Sequence, residues 1–181
     1  MVGATDGNSG RNPIFASLTL LAVAATAGFM LVAPATAQSL TFAAGSTADG
    51  DAVFRVGYVH PWSGSYLERW GFERLVEVTV ANWQTGPGDD SVQLITLAPV
   101  WHRQIWGDLG LELMIGLGFF SDQQVGKHDM GSQGHFQTGF GLSYPVGPGY
   151  ITADIRHYSN AGLAKPNPGI EVYTVGYYYR F

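Results

Sequence analysis

From Ser39 onward, large apolar residues recur at every second position in one stretch after another. The fifth such stretch is the clearest. Leu109, Leu111, Leu113, Ile115, Leu117 and Phe119 stand on one parity, and Gly110, Glu112, Met114, Gly116 and Gly118 on the other. A period of two places successive side chains on opposite faces of a β-strand. The same alternation marks Ser39–Ser46, Ala52–His60, Glu73–Trp83, Phe136–Tyr144, Tyr150–Ser159 and Glu171–Phe181. It is blurred in Val92–Gln104, where Pro99 cannot donate to a ladder and predicts a bulge. Turn-rich stretches such as Thr85-Gly86-Pro87-Gly88-Asp89-Asp90 separate the segments. The count is eight.

The chemistry of the two faces selects the environment. One parity carries leucine, valine, phenylalanine and tyrosine. The other carries glycine, threonine and isolated charges: Arg55, Glu77, Glu112, Asp154 and Arg156. A soluble barrel of lipocalin type would turn the aliphatic face inward. A barrel in a bilayer turns it outward and keeps a polar lumen. Strands of about ten residues are long enough to cross a membrane when tilted. The fold class expected is therefore all-β, an eight-stranded antiparallel transmembrane β-barrel, with the five charged residues as a lumenal hydrogen-bond network.

Composition narrows the picture. The 181 residues allow one domain of ordinary size. A net charge of −5 without a basic patch argues against nucleic acid. With no cysteine, disulfides and thiolate chemistry are excluded. The tyrosines and tryptophans suit interfacial girdles, and the 25 glycines suit crowded barrel walls. The long apolar run, Ile14–Ala35, ends in Ala35-Thr36-Ala37, a small-x-small box. It reads as a secretory signal over residues 1–37, leaving 38–181 as the barrel. Localisation in a bacterial outer membrane follows.

The last two segments carry polar residues where apolar ones are expected. On the aliphatic parity of Tyr150–Ser159 stand His157 and Ser159, and on that of the final segment stands Glu171. A hairpin of the two must match their apolar faces, because a slip of one residue would invert a strand. His157, Ser159 and Glu171 therefore share the lipid-facing side near the connecting loop. The alternating aromatics ending in Phe181 resemble the C-terminal signature of bacterial outer-membrane barrels, which sets that end at the periplasm. The three residues then lie at the outer leaflet. There a polar group on the lipid face costs roughly 0–1 kcal/mol, against a few at the midplane.

Serine needs a base to become a nucleophile at neutral pH, and histidine suits that role. A carboxylate fixes the imidazole tautomer and stabilises the imidazolium. Ser159 as nucleophile, His157 as base and Glu171 as orienting acid make an esterase site. Asn160 and the backbone at Ala161-Gly162 follow the nucleophile directly and could donate to an oxyanion. His60, His102, His128 and His135 are scattered near strand ends or loops, and Asp89-Asp90 reads as a solvated turn. No cluster has metal-ligand spacing, and there is no glycine-rich phosphate loop. No cofactor or metal is expected.

The run His157-Tyr158-Ser159-Asn160-Ala161-Gly162-Leu163, then Pro166-Asn167 and Gly169-Ile170-Glu171, closely resembles the C-terminal motif of the PagL family. Ala98-Pro99-Val100 resembles a further family feature. These are outer-membrane lipid A 3-O-deacylases. The resemblance implies hydrolysis of the ester-linked 3-O acyl chain of lipid A by Ser159, His157 and Glu171. It implies oxyanion donors at Asn160 and Gly162, and no cofactor. Lipid A in lipopolysaccharide and the outer membrane are the implied partners, with a homodimer admitted. Two alternatives stand beside it: a non-enzymatic structural barrel, and a phospholipase or acyltransferase on the same scaffold.

Overall fold

The computed structural model describes residues 38–62, 67–86 and 91–181. The expected signal segment, 1–37, and Asp89-Asp90 lie outside the described residues. Eight long strands close into one antiparallel barrel: β1 (Ser39–Thr47), β2 (Ala52–Pro61), β3 (Glu73–Gln84), β4 (Ser91–Trp106), β5 (Leu109–Phe120), β8 (Gly134–Val146), β9 (Gly149–Ser159) and β10 (Ile170–Arg180). Every strand pairs with its chain neighbour, and β1 closes on β10. Closure leaves no free sheet edge, a condition for crossing a bilayer with strands. The barrel strands match the eight alternating segments to within a few residues at each end.

Two details depart from the sequence pattern. Pro99 sits in register opposite Val76, and the irregularity in β4 falls instead between Gln104 and Trp106, beside the Gly107-Asp108 turn. The missing N–H at Pro99 is absorbed without shifting the strand. Between β5 and β8, residues 121–133 form a loop with its own small hairpin, β6 (Gln124–Val125) and β7 (His128–Asp129). Two-residue strands have no period to read.

The exposed large side chains include Phe54, Val56, Leu97, Ile115, Leu117, Phe140 and Val175, all on the outward parity. Inside, the middle of the barrel is a compact ionic network. Arg55 donates to Asp154 at 2.7 Å, and Arg156 donates to Asp154 at 3.0 Å and to Glu77 at 2.6 and 3.2 Å. Thr174 donates to Asp154, and Tyr178 to Glu77. Two guanidiniums thus face two carboxylates with their remaining lone pairs bonded, the arrangement that makes buried charge tolerable. Glu112, expected in this network, is buried close by, but among the described residues its Oε2 has no hydrogen-bond partner.

The lumen is not polar throughout. Above the ionic layer, Trp83, Phe120 and Tyr158 meet edge to face at centroid distances of 5.0–5.8 Å. Leu94, Val172, Ile170, Val125 and Met130 complete a buried apolar plug. The β6–β7 loop supplies two of its members, so the loop folds into the mouth. Below the ionic layer a cavity of about 460 Å³ opens between Glu73, Arg74, His102, Glu112 and Arg180.

Candidate active site on the barrel wall

Orientation follows from loop length. Two of the three connections at one end, 107–108 and 147–148, have two residues each, the third being 62–72, and the loops at 121–133 and 160–169 lie at the opposite end. Outer-membrane barrels keep short turns in the periplasm and longer loops outside. The site sits at the long-loop end.

Strand β9 sets its geometry. Arg156 and Tyr158 are buried in the lumen, so His157 and Ser159 point outward, in line with the exposed Ile151. Tyr158, locked between Trp83 and Phe120, anchors the backbone between the two. On one side Phe136 of β8 faces Ser159 and Thr138 faces His157. On the other, Glu171 of β10 pairs directly with His157. The side chains meet: His157 Nδ1 lies 2.9 Å from Glu171 Oε1. An ionised carboxylate only accepts, so this bond selects the tautomer with its proton on Nδ1 and a lone pair on Nε2. Both side chains remain partly open, 41% and 47% exposed.

Among the described residues, Ser159 Oγ makes no hydrogen bond, and neither does His157 Nε2. The structure joins His157 to Glu171 and leaves the Ser159 hydroxyl and the imidazole as same-face neighbours at i and i+2. Catalytic hydrogen bonds of this kind often tighten only with substrate present.

Gly169 bears on the imidazole from the loop. Its φ is +70°, and a Cβ there would lie 2.6 Å from His157 Cε1. Only glycine gives both the backbone conformation and the room. Its role could be suspected from its place in the motif; the contact could not.

Asn160 and Gly162, the expected oxyanion donors, lie just beyond Ser159, but their donors are already engaged. The Asn160 N–H donates to Asn167 Oδ1 at 2.9 Å, and its Nδ2 donates to the Met130 carbonyl at 2.9 Å and the Pro166 carbonyl at 3.4 Å. Its Oδ1 accepts from Gly162 N–H at 2.9 Å and Ala164 N–H at 3.5 Å. Asn160 is 1% exposed. It is a hub that ties the 160–169 loop to itself and to the 121–133 loop. Met130 and Asn167 join the site this way; nothing in the sequence marked Met130.

The remaining histidines lie away from this cluster. His102 faces Glu73 at 3.6 Å beside the lower cavity, and His135 is buried against Phe120. His128 and Lys127 both reach Asp49 in the 48–51 turn, Lys127 at 2.6 Å. Hydrogen bonds from Lys127 and then His128 hold the Asp49 carboxyl below its ordinary range. Among the described residues no group of three metal-ligating side chains converges.

A closed eight-stranded barrel with this outward-facing cluster defines the class, an outer-membrane β-barrel enzyme. The chain belongs to the PagL family: the family model described as lipid A 3-O-deacylase matches residues 52–180. Lipid A deacylase PagL of Pseudomonas aeruginosa is 32% identical over 165 residues, 87% of this chain and 94% of that one. Lipid A deacylase PagL of Bordetella bronchiseptica is 28% identical over 124 residues, 66% and 70% of the two chains. The crystal structure of the outer membrane enzyme PagL superposes with a TM-score of 0.69 at 26% identity, covering 79% of this chain and 99% of that one. A de novo designed transmembrane β-barrel superposes at 0.54 with 13% identity, a likeness of fold alone.

Proposed function

We propose that this protein is an esterase that removes the acyl chain ester-linked at the 3-position of lipid A, with Ser159 as nucleophile, His157 as base and Glu171 as orienting acid. The observation that carries it is the 2.9 Å bond between His157 Nδ1 and Glu171 Oε1 on the lipid-facing wall, two residues from a serine with a free hydroxyl. Membership of a lipid A deacylase family supplies the substrate class.

The chemistry balances within these three residues. Ser159 Oγ bonds to the ester carbonyl carbon, its proton passes to His157 Nε2, and the carbonyl π pair moves onto oxygen. Glu171 stabilises the imidazolium. The tetrahedral intermediate collapses, the bond to the sugar 3-oxygen breaks, and that oxygen takes the proton from His157. Water then repeats the sequence on the acyl-serine: it yields a proton to His157, displaces Ser159 and releases the fatty acid. Lipid A lies in the outer leaflet, so it reaches this wall laterally and the plugged lumen is no obstacle. A homodimer belongs to the same proposal as an assembly the barrel wall admits.

The test is mass spectrometry of lipopolysaccharide incubated with the refolded protein in detergent, beside a Ser159→Ala control. Loss of one 3-hydroxyacyl chain with the wild type only is the expected result. Lipopolysaccharide untouched by both folded proteins would turn attention to other lipid esters.

A further inference from the structure

We propose that the periplasmic end of the barrel lumen is a binding site for the primary ammonium group of a small amine, received by the carboxylate of Glu112. The site is separate from the outer wall and does not depend on the chemistry argued there.

Charge matching is the first observation. In the ionic layer Arg55 and Arg156 face Asp154 and Glu77, two guanidiniums for two carboxylates. Glu112 is a third carboxylate at the foot of that layer, 5% exposed. Among the described residues no hydrogen bond or ion pair reaches it. A buried acceptor left without a donor is costly, and a buried charge without a partner more so. The donors around it are committed elsewhere. His102 pairs directly with Glu112 across β4 and β5, yet its Nδ1 faces Glu73 at 3.6 Å and its Nε2 lies over Gly110, where a Cβ would collide with it. Tyr178 donates its hydroxyl to Glu77, and the Arg180 guanidinium lies 4.5 Å over the Tyr150 ring.

The space beside Glu112 is the second observation. The cavity of about 460 Å³ falls within the range of small-molecule sites, roughly 300–1,000 Å³. Its outer rim is made by strand ends, with Ser39, Pro61, Glu73 and Arg180, and Glu112 lies at the inner end. The rim carries both signs of charge and so does not sort ligands. The inner end carries one uncompensated carboxylate and does.

The walls narrow the ligand further. Val59, Leu75 and Val100 line the path from rim to carboxylate and would cover a short alkyl stem. An ammonium is a compact head with three donors and no acceptor, and its bond to a carboxylate is charge-assisted. A carboxylate or phosphate would meet Glu112 as a like charge. A metal ion would need several converging ligands, and among the described residues no such group forms. A primary ammonium on a short stem is presented both by free alkylamines and by the ethanolamine headgroups of phospholipids. The rim, at the periplasmic ends of the strands, is open to either source.

The experiment titrates n-butylammonium chloride into ¹⁵N-labelled wild-type protein, refolded in a nonionic detergent and phosphate buffer, and follows the backbone amides by NMR. Saturable shifts confined to cavity residues such as Leu75, Val100 and Glu112 are the expected result. Sodium butyrate, with the same number of carbons and the opposite charge, should leave those amides in place. Glu112→Gln should bind the amine roughly 10–100-fold more weakly, the loss of one charge-assisted bond. Should that variant not refold, Glu112→Asp, which withdraws the charge by one methylene, replaces it with the same expectation of weaker binding. Bicelles with and without phosphatidylethanolamine separate the two sources. The same shifts on adding that lipid, with no free amine present, assign the headgroup, and their absence assigns the free amine. No saturable shift with either source, unchanged affinity in the Glu112 variant, or tighter binding of butyrate than of the amine would overturn the proposal.

Discussion

Glu171 stands directly opposite His157 across the β9–β10 ladder, and their side chains join at 2.9 Å on the lipid-facing side of the barrel. Direct pairing is the closest placement two residues of adjacent strands can have. It makes the carboxylate a fixture of the imidazole rather than a visitor.

Glu171→Gln tests that relationship. The amide keeps the shape but can present an N–H to Nδ1 and so permit the unproductive tautomer. Turnover should fall by up to about 10⁴-fold, the loss seen when the acid of a serine triad is neutralised. Partial solvent access at this site makes the lower part of that range the expectation. Turnover equal to wild type in lipid A hydrolysis would remove Glu171 from the mechanism.

Gly169→Ala probes the wall behind the imidazole. The new Cβ would fall 2.6 Å from His157 Cε1, and alanine resists the +70° φ. The ring must move, and displacement of a catalytic group by about 1 Å can cost on the order of 10²-fold in rate. The variant should keep its heat-modifiable mobility on gels, as a folded barrel does, while its kcat falls. Unchanged kcat would show that the loop yields rather than the histidine.

The ionic layer should respond asymmetrically to two substitutions. Arg156→Met strips Glu77 and Asp154 of a shared buried partner and should destabilise the barrel by about 3–5 kcal/mol in denaturant titrations. Glu112→Gln removes a carboxylate whose Oε2 is unpartnered and should be neutral or stabilising. Equal losses from the two would contradict the division between bonded and unbonded carboxyls. Neither change touches the outer wall, so the folded fraction of each should retain catalysis.

Asp49 predicts an acid-sensitive loop. Its carboxyl is held below the ordinary value of 3.8, first by the hydrogen bond from Lys127. A depressed folded-state pKa contributes stability that is present above the unfolded value and lost as pH falls through the folded one. The link between the 48–51 turn and the β6–β7 hairpin should therefore hold at neutral pH and loosen below about pH 4. Hydrogen exchange read at residues 124–130 checks this: protection should drop on acidification in the wild type. In Asp49→Asn the protection should be low and nearly independent of pH over the same range.

The sequence by itself determined the eight strands, their register sense and the sidedness of the His157–Ser159–Glu171 cluster. All three follow from a local period of two, because alternation assigns each residue a face without reference to its partners. His157, Ser159 and Glu171 were visible for that reason: polar residues on an apolar parity violate a local rule. The charged residues of the lumen were legible on the opposite parity by the same logic. What needed the tertiary structure was everything decided by residues distant in the chain. The apolar plug forms because Val125 and Met130 fold back into the mouth, and no period marks them. Among the described residues Glu112 Oε2 has no hydrogen-bond partner, because Glu77 and Asp154, from other strands, already take up the two guanidiniums. The hydrogen bonds that commit Asn160 run partly to Met130, thirty residues away, and their geometry is invisible in a run of letters. Face is a property of position along a strand, whereas partnership depends on how loops close over the barrel.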